Sequence, residues 1–318
     1  MPHKIIAPVY VMLGASLWAI DAIFRTQLTF KMPTASIVLF EHILGFIILS
    51  PFIFKHLNYL KKISINTWVA VFLMALVSSV SGTLFFTEAL ARSFADFDFS
   101  TPILIQKLQP MFVILISALF LKEKITLRFI TVSIIALIGS YLLSFGFAPI
   151  TLQFEGKEAV YIFALAAAIS WGSGTILSKH TLSKMPFSLL TALRFATAIP
   201  IAFLATQLLN QTFNPMEIGL TNLVRFLVIS GITGGALAIF LYYKGLKNTQ
   251  AKVATIAELA FPVVSLIIAV TPLNPYGAPQ TLSLDKLLGA FILVTSMFYI
   301  SIKEHLIIDG DKKTPQKA

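Results

Sequence analysis

The chain contains no cysteine, which excludes disulfides and thiol chemistry and leaves the redox compartment unreadable. Charge is also scarce. Only 12% of the residues are Asp, Glu, Lys or Arg, against roughly 25% in an ordinary soluble domain. Acidic residues are the scarcer sign, 14 against 24 basic, for a net charge of +10. There is no Gly-x-Ser-x-Gly elbow, no phosphate-binding Gly-x-x-x-x-Gly-Lys loop and no His-Glu-x-x-His. Nothing points to an enzyme, and ATP-driven pumping by this chain alone is not expected. His3, His42, His56, His180 and His305 lie in different segments, so neither a metal site nor another cofactor is expected.

What the sequence does have is long apolar runs. Apolar residues make up 57% of the chain, and the mean hydropathy is +0.86. Ten runs have the length that spans a bilayer: 6–24, 34–54, 68–91, 100–120, 126–146, 159–179, 186–207, 223–246, 251–271 and 284–303. They read as helices, because membrane strands are shorter and alternate in polarity. The first run lacks a small-residue cleavage pattern and is expected to stay in the protein. Placing the N-terminus inside puts Lys4, Lys55, Lys61, Lys62, Lys122, Lys124, Arg128, Lys179, Lys184, Lys244, Lys247, Lys252, Lys303, Lys312, Lys313 and Lys317 on the inner side. The outer side then holds Arg25, Lys31, Arg92, Lys157, Arg225 and Lys286. Sixteen against six is the positive-inside bias, and it places both termini inside. The basic charge is thus topological, and no nucleic-acid partner is expected.

One spacing occurs twice. Trp18 stands fifteen residues before the proline of Lys31-Met32-Pro33, and Trp171 fifteen before that of Lys184-Met185-Pro186. The offset from Trp18 to Trp171 is 153 residues in a chain of 318. Repetition at half-length within an apolar chain points to a duplicated membrane unit. Five spans per unit is odd, so the second copy must enter the membrane from the opposite side. The expected fold is all-α and integral to the membrane: ten transmembrane helices as two inverted five-helix repeats. The first repeat covers 1–146, a linker 147–158, the second repeat 159–303 and a cytoplasmic tail 304–318.

Particular motifs carry a family resemblance. The first half has Phe85-Phe86-Thr87-Glu88-Ala89-Leu90, then Pro110, then Phe120-Leu121-Lys122-Glu123-Lys124-Ile125-Thr126. The second has Tyr242-Tyr243-Lys244-Gly245-Leu246 followed by Pro262. The chain resembles the drug/metabolite transporter superfamily and, within it, the EamA-type permeases. These carry an aromatic end to the third helix of each repeat, a proline inside the fourth and a Leu-x-Glu-x-hydrophobic-Thr turn after it. Two features depart from the pattern. Thr271-Pro272-Leu273-Asn274-Pro275-Tyr276-Gly277 has no matching glutamate, and Glu41-His42 stands where many relatives have an arginine.

Polar residues inside spans cost several kcal/mol unless paired or hydrated, so they mark the candidate site. Gln106, Lys107 and Gln109 precede or flank Pro110, and Glu258 stands four residues before Pro262. Each proline is expected to free the carbonyl four residues earlier, making Pro110 and Pro262 helix breaks facing one cavity; the alternative is a pair of ordinary kinks. At the 153-residue offset Glu41 aligns with Arg194, about 12 Å inside the spans at 1.5 Å per residue. Arg194 could clamp a carboxylate and Glu41 hold an amine or a proton, or the two could form a structural pair with each other or with Lys107 and Glu258. Trp18 and Trp171 either line a pocket or anchor at the interface. The residues expected to bind substrate are therefore Gln106, Lys107, Gln109, Glu258, Arg194, Glu41, Trp18 and Trp171. Candidates for carrying a proton are Glu41, Glu258, His42 and Glu88. His42 could instead make a helix–helix hydrogen bond, and Glu88 could pair with Arg92. Asp21 is expected to reach the interface and Glu123 to form a cytoplasmic helix junction. Gly14, Gly45, Gly139, Gly172, Gly174, Gly234, Gly235 and Gly289 are expected to permit close helix packing.

The resemblance implies a secondary transporter of the cytoplasmic membrane in a bacterium or archaeon, working by alternating access and exporting a small polar metabolite, an amino acid or related compound. Lys107 and Arg194 against Glu41 and Glu258 offer both charge signs, which suits a zwitterion. Proton-coupled efflux of hydrophobic compounds and carboxylate or sugar-phosphate exchange are alternatives within that class. A channel, a non-transporting subunit or an intramembrane enzyme lies outside it. Expected partners are membrane lipid and a small-molecule substrate, with a homodimer left open.

Overall fold

The computed structural model describes residues 2–94, 100–147, 156–274 and 277–311. Among them the long regular elements are all helices and no strand occurs. Lipid offers no hydrogen-bond partner, so each apolar run must satisfy its backbone internally, and a helix does so. In chain order the helices are α1 (Pro2–Thr29), α2 (Thr34–Lys55), α3 (Ile65–Ser93), α4 (Ser100–Gln106), α5 (Gln109–Phe120) and α6 (Leu127–Phe145), then α7 (Glu158–Leu182), α8 (Phe187–Leu208), α9 (Gly219–Lys247), α10 (Ala251–Ala257), α11 (Ala260–Ala269) and α12 (Leu284–Asp311). Phe54, Phe120, Leu127 and Phe291 are exposed on the outside, as a surface meeting apolar lipid tails allows.

Nine stretches among the described residues are long and apolar enough to span, where ten were expected. The fourth expected run, 100–120, splits at Lys107–Leu108, and its longer part, α5, has only 12 residues. At 1.5 Å per residue that is about 18 Å, short of the roughly 30 Å hydrocarbon core. The ninth run splits likewise at Glu258–Leu259, between α10 and α11. In both, the proline sits in the first turn of the new helix, where a missing N–H costs little. Most of the expected linker and the tail beyond Asp311 lie outside the described residues, as do Lys312, Lys313 and Lys317.

The helices pair across the halves. α1 packs on α9, and α7 on α3, so the first helix of each half lies against the third of the other. α1 also meets α11, and α7 meets α5, each touching the second part of a broken span. α2 pairs with α8 and α6 with α12. Small residues make the approach close. A Cβ at Gly14 would lie 2.9 Å from the Ala238 carbonyl, and one at Gly139 2.8 Å from the Leu293 nitrogen. α6 ends at Gly146, whose φ of 64° suits glycine and whose missing side chain leaves room for Asp285. The third helix of each half is locally unwound into π-helix, Ala75–Gly82 in α3 and Ile229–Thr233 in α9. Such bulges free backbone groups and re-aim side chains, and they recur at functional sites.

Candidate functional site

Both breaks, the α3 π-helical stretch and Gly234 directly after the α9 one border one cavity. It offers about 140 Å³ to the centres of water-sized molecules, room for on the order of ten waters at the roughly 10–15 Å³ that one requires. The structure brings the expected residues together here. Trp18 comes from α1, Glu41 and His42 from α2, Trp171 from α7 and Arg194 from α8. Gln106, Lys107, Gln109 and Pro110 come from the first break and Glu258 from the second. Pro262 is buried without lining the cavity. Glu88 lies apart: it pairs with Arg92 at 2.9 Å, as its spacing suggested, and accepts from the Thr34 hydroxyl at 2.8 Å.

The breaks are joined by side chains. Gln106 Nε2 donates to Gln109 Oε1 (2.7 Å), and Gln109 Nε2 donates to Glu258 Oε2 (2.8 Å). Tyr242 donates its hydroxyl to the other Glu258 oxygen at 2.7 Å, and Thr175 meets the same hydroxyl at 3.1 Å. Glu258 is therefore held by two neutral donors. The expected freed carbonyl is corrected here: Glu258 O accepts from the Phe261 N–H at 3.0 Å, a tightened turn that reuses it. Lys107 does not pair with Glu258 at salt-bridge distance. Its ammonium sits 3.7 Å from the centre of the Phe261 ring, and no hydrogen bond or ion pair holds it among the described residues. An ammonium 8% exposed over an aromatic face keeps its hydrogen-bond donors for something else.

The second charge cluster differs from expectation. Glu41 does not pair with Arg194. Its partner is Arg25, whose Nη2 lies 2.9 Å from Glu41 Oε2 and whose Nε donates to Asp21 Oδ2 at 2.5 Å. Arg25 was assigned to the outer loop, but α1 runs on to Thr29 and keeps it buried. Asp21, expected at the interface, is buried with it and lies 3.4 Å from the Thr233 hydroxyl at the α9 unwinding. Arg194 instead donates to the Tyr243 hydroxyl (2.8 Å) and to Ser78 Oγ (3.2 Å) in the α3 π-helix. His42 bonds within its own helix, Nδ1 to the Val38 carbonyl at 2.7 Å, rather than across helices, and its ring lies 5.1 Å from that of Phe195. Arg25, Lys107 and Arg194 balance Asp21, Glu41 and Glu258, so the cavity is neutral with all six ionised.

Aromatic faces flank the cavity from both halves. Trp18 and Tyr242 lie 5.1 Å apart, Phe86 and Trp171 5.2 Å apart. Trp171 is fixed by donating Nε1 to the Ser78 carbonyl at 3.1 Å. Both tryptophans thus line the interior and are not interface anchors. Sequence reasoning missed Arg25, Ser78, Tyr242 and the π-helical stretches. The Ser78–Gly82 and Ser230–Gly235 runs, rich in serine and glycine inside apolar spans, were the available signal.

Two further sets of contacts join the halves away from the cavity lining. Lys122, at φ 53°, turns the chain after α5 so that Glu123 reaches the other half. Its carboxylate accepts from the backbone N–H groups of Ala251 (2.7 Å) and Lys252 (3.0 Å), at the start of α10. Lys252 Nζ returns to the Lys124 carbonyl at 2.7 Å, and Lys179 Nζ donates to the Leu246 carbonyl at 2.8 Å. Glu123 is a junction as expected, but one between halves. Behind it the main apolar core, including Phe129, Leu190 and Leu246, fills the interior. Between the start of α2 and the chain after α8, Gln211 Oε1 accepts from the Ala35 N–H, and its carbonyl accepts from Ser36 Oγ, at 2.9 and 2.5 Å.

Comparison with known proteins agrees with this architecture. The model of the EamA-like transporter family matches twice, over residues 5–145 and 159–302. The riboflavin transporter ImpX of Fusobacterium nucleatum is 32% identical over 270 residues, covering 84% of this chain and 89% of that protein. Protein PecM of Dickeya dadantii is 26% identical over 62% of this chain and 63% of its own length. A crystal structure at 18% identity covers 93% of this chain and 96% of its own with a TM-score of 0.68, a likeness of fold.

Proposed function

Since the chain belongs to the EamA-like transporter family, within the drug/metabolite transporter superfamily, we propose that it is a secondary carrier moving a small polar metabolite by alternating access. The observation that carries this reading is the meeting of two interrupted helices, one from each half, at a cavity holding Lys107 and Glu258. Discontinuous helices at a repeat interface are where secondary transporters bind their solutes. The reciprocal pairing of α1 with α9 and α7 with α3 supports an inverted relation of the halves. Setting aside the buried Arg25 and Lys252, the positive-inside count becomes fifteen against five and favours the same orientation, in the cytoplasmic membrane of a bacterium or archaeon. The Glu123 end is then cytoplasmic.

In the proposed cycle the halves rock about the cavity. The Glu123 contact and the lysine–carbonyl bonds beside it break as the cytoplasmic mouth opens. The Gln211 contacts break when the other mouth opens. Neutrality of the cavity favours exchange or facilitated movement over obligatory proton coupling. Glu41 and Glu88 are held by arginines and His42 by backbone, so Glu258 is the group to test for a coupling proton. With Glu41 and Arg194 already engaged, Lys107 and Glu258 are the pair of opposite charges left to meet a polar or zwitterionic solute. Export is the direction implied by the resemblance.

The test compares metabolites in cells and medium for the wild-type chain, Lys107→Ala and empty vector at equal membrane abundance. A compound displaced by the wild type and not by the variant is expected. No difference from empty vector, together with no uptake into sealed vesicles, would overturn the carrier reading.

A further inference from the structure

Resting on the carrier reading, we infer that the cavity takes a planar nitrogen heteroaromatic solute whose edge presents a hydrogen-bond acceptor beside a donor. The acceptor meets Lys107 and the donor meets Glu258, while aromatic side chains from both halves cover the ring. Three observations converge on this class.

The first is the unequal state of the two charges. Lys107 is more than nine-tenths buried, lines the cavity and sits over the Phe261 face with no hydrogen bond or ion pair among the described residues. An ammonium at this depth is costly without a partner, and a solute carbonyl or ring nitrogen supplies one. Glu258 already accepts from Gln109 and Tyr242, and a carboxylate accepts about four bonds, so it can still take a solute N–H. An imide-like edge, with carbonyl and N–H adjacent, satisfies both groups together.

The second is the shape and chemistry of the walls. Trp18 with Tyr242, and Trp171 with Phe86, present two aromatic pairs, one built around the first helix of each half. Offset stacking on such faces rewards a flat ring system and gives an aliphatic amino acid little. A relative covering most of the chain is named a riboflavin transporter, and riboflavin has this kind of ring and edge.

The third is the charge balance. Arg25 is engaged by two carboxylates and Arg194 by Tyr243 and Ser78, so with Lys107 taken by the ring edge an anionic group on the solute would find no unengaged cation among the residues lining the cavity. A phosphorylated heteroaromatic should therefore be rejected.

Binding is read on the full-length chain in detergent by quenching of flavin fluorescence, with riboflavin and its 5′-phosphate as probes and free tryptophan as zwitterionic competitor. Riboflavin should bind, its phosphate at least about tenfold more weakly, and tryptophan should not displace it. Removing a charged donor, in Lys107→Gln, should weaken riboflavin on the order of tenfold to a hundredfold, whereas Lys107→Arg should stay within a few-fold of wild type. Trp18→Leu and Trp171→Leu should each weaken it too. Riboflavin affinity unchanged in both Lys107→Gln and Glu258→Gln would overturn the edge assignment and leave the carrier reading standing. No flavin binding with clear amino-acid binding would overturn the solute class. Loss of all transport in vesicles would instead sink the carrier reading. If Lys107→Gln does not purify as a single species, Lys107→Arg and Glu258→Gln decide the matter.

Discussion

Replacing Arg25 by methionine tests the reading of the buried charge cluster. The guanidinium stands between Asp21 and Glu41, and the three side chains are 6–9% exposed. Methionine keeps the apolar stem and removes the charge, leaving two carboxylates facing each other in a membrane interior. Removing one partner of a buried pair typically costs about 3–5 kcal/mol, because the remaining charge is uncompensated. Two orphaned carboxylates put Arg25→Met at the upper end of that range. The control is Arg92→Met, which breaks a pair of the same i, i+4 spacing whose arginine is 50% exposed. An exposed pair is worth roughly 0–1 kcal/mol. The compensated triple variant Asp21→Asn, Arg25→Met, Glu41→Gln should recover most of the loss, since neutral replacements remove the uncompensated charges. The assay is thermal denaturation in detergent, followed by the monodisperse fraction on size exclusion. Equal losses for Arg25→Met and Arg92→Met would refute the reasoning, as would a triple variant no more stable than the single one.

Three further outcomes are expected. Tyr242→Phe removes the hydroxyl that holds Glu258 and should raise the half-saturating solute concentration several-fold at unchanged protein yield, measured by vesicle uptake. Glu123→Gln should speed thiol labelling of Thr249→Cys, a position beside α10, and the absence of native cysteine makes that label specific; an unchanged rate would deny Glu123 a closing role. Gly139→Leu places a side chain against the Leu293 and Gly289 backbone and should destabilise the α6–α12 pair by about 1–3 kcal/mol or more, read as lost folded protein in the same detergent assay.

Much of the fold was legible because hydropathy is local: a run of some twenty apolar residues reports its own environment. The tryptophan and proline repeats were legible for the same reason, being fixed spacings along one chain. What failed depended on neighbours. A hydropathy window ends α1 before Arg25 because arginine is polar, and only Asp21 one turn back and Glu41 across the interface keep it buried. Glu41 and Arg194 align by repeat register, yet register gives depth and not facing, and each found a closer partner. Interrupted helices were expected from Pro110 and Pro262, but the place of each interruption, ahead of its proline at Lys107–Leu108 and Glu258–Leu259, was not. Proline marks where a helix is weakened; whether the strand of helix ends or bends depends on the polar groups ready to receive it. The π-helical stretches left only a serine–glycine bias, which also describes ordinary close packing.

The single carboxylate after α5 has a thermodynamic consequence. Under the proposed carrier cycle, halves related by a two-fold would, left to themselves, make the two closed states of the empty protein equally populated. In that cycle Glu123 holds one mouth through two charge-assisted bonds to backbone N–H groups, whereas the Gln211 contacts at the other mouth use neutral acceptors and Thr271–Asn274 supplies no acidic residue. At a net worth of roughly 2 kcal/mol for charge-assisted bonds, the empty protein would favour the state shut at the Glu123 end by about thirty to one. Solute arriving from the opposite side then meets a ready site, whereas solute on the Glu123 side sees an affinity reduced by the rarity of opening. In the proposed cycle one side chain thereby sets unequal thresholds for the two directions of travel.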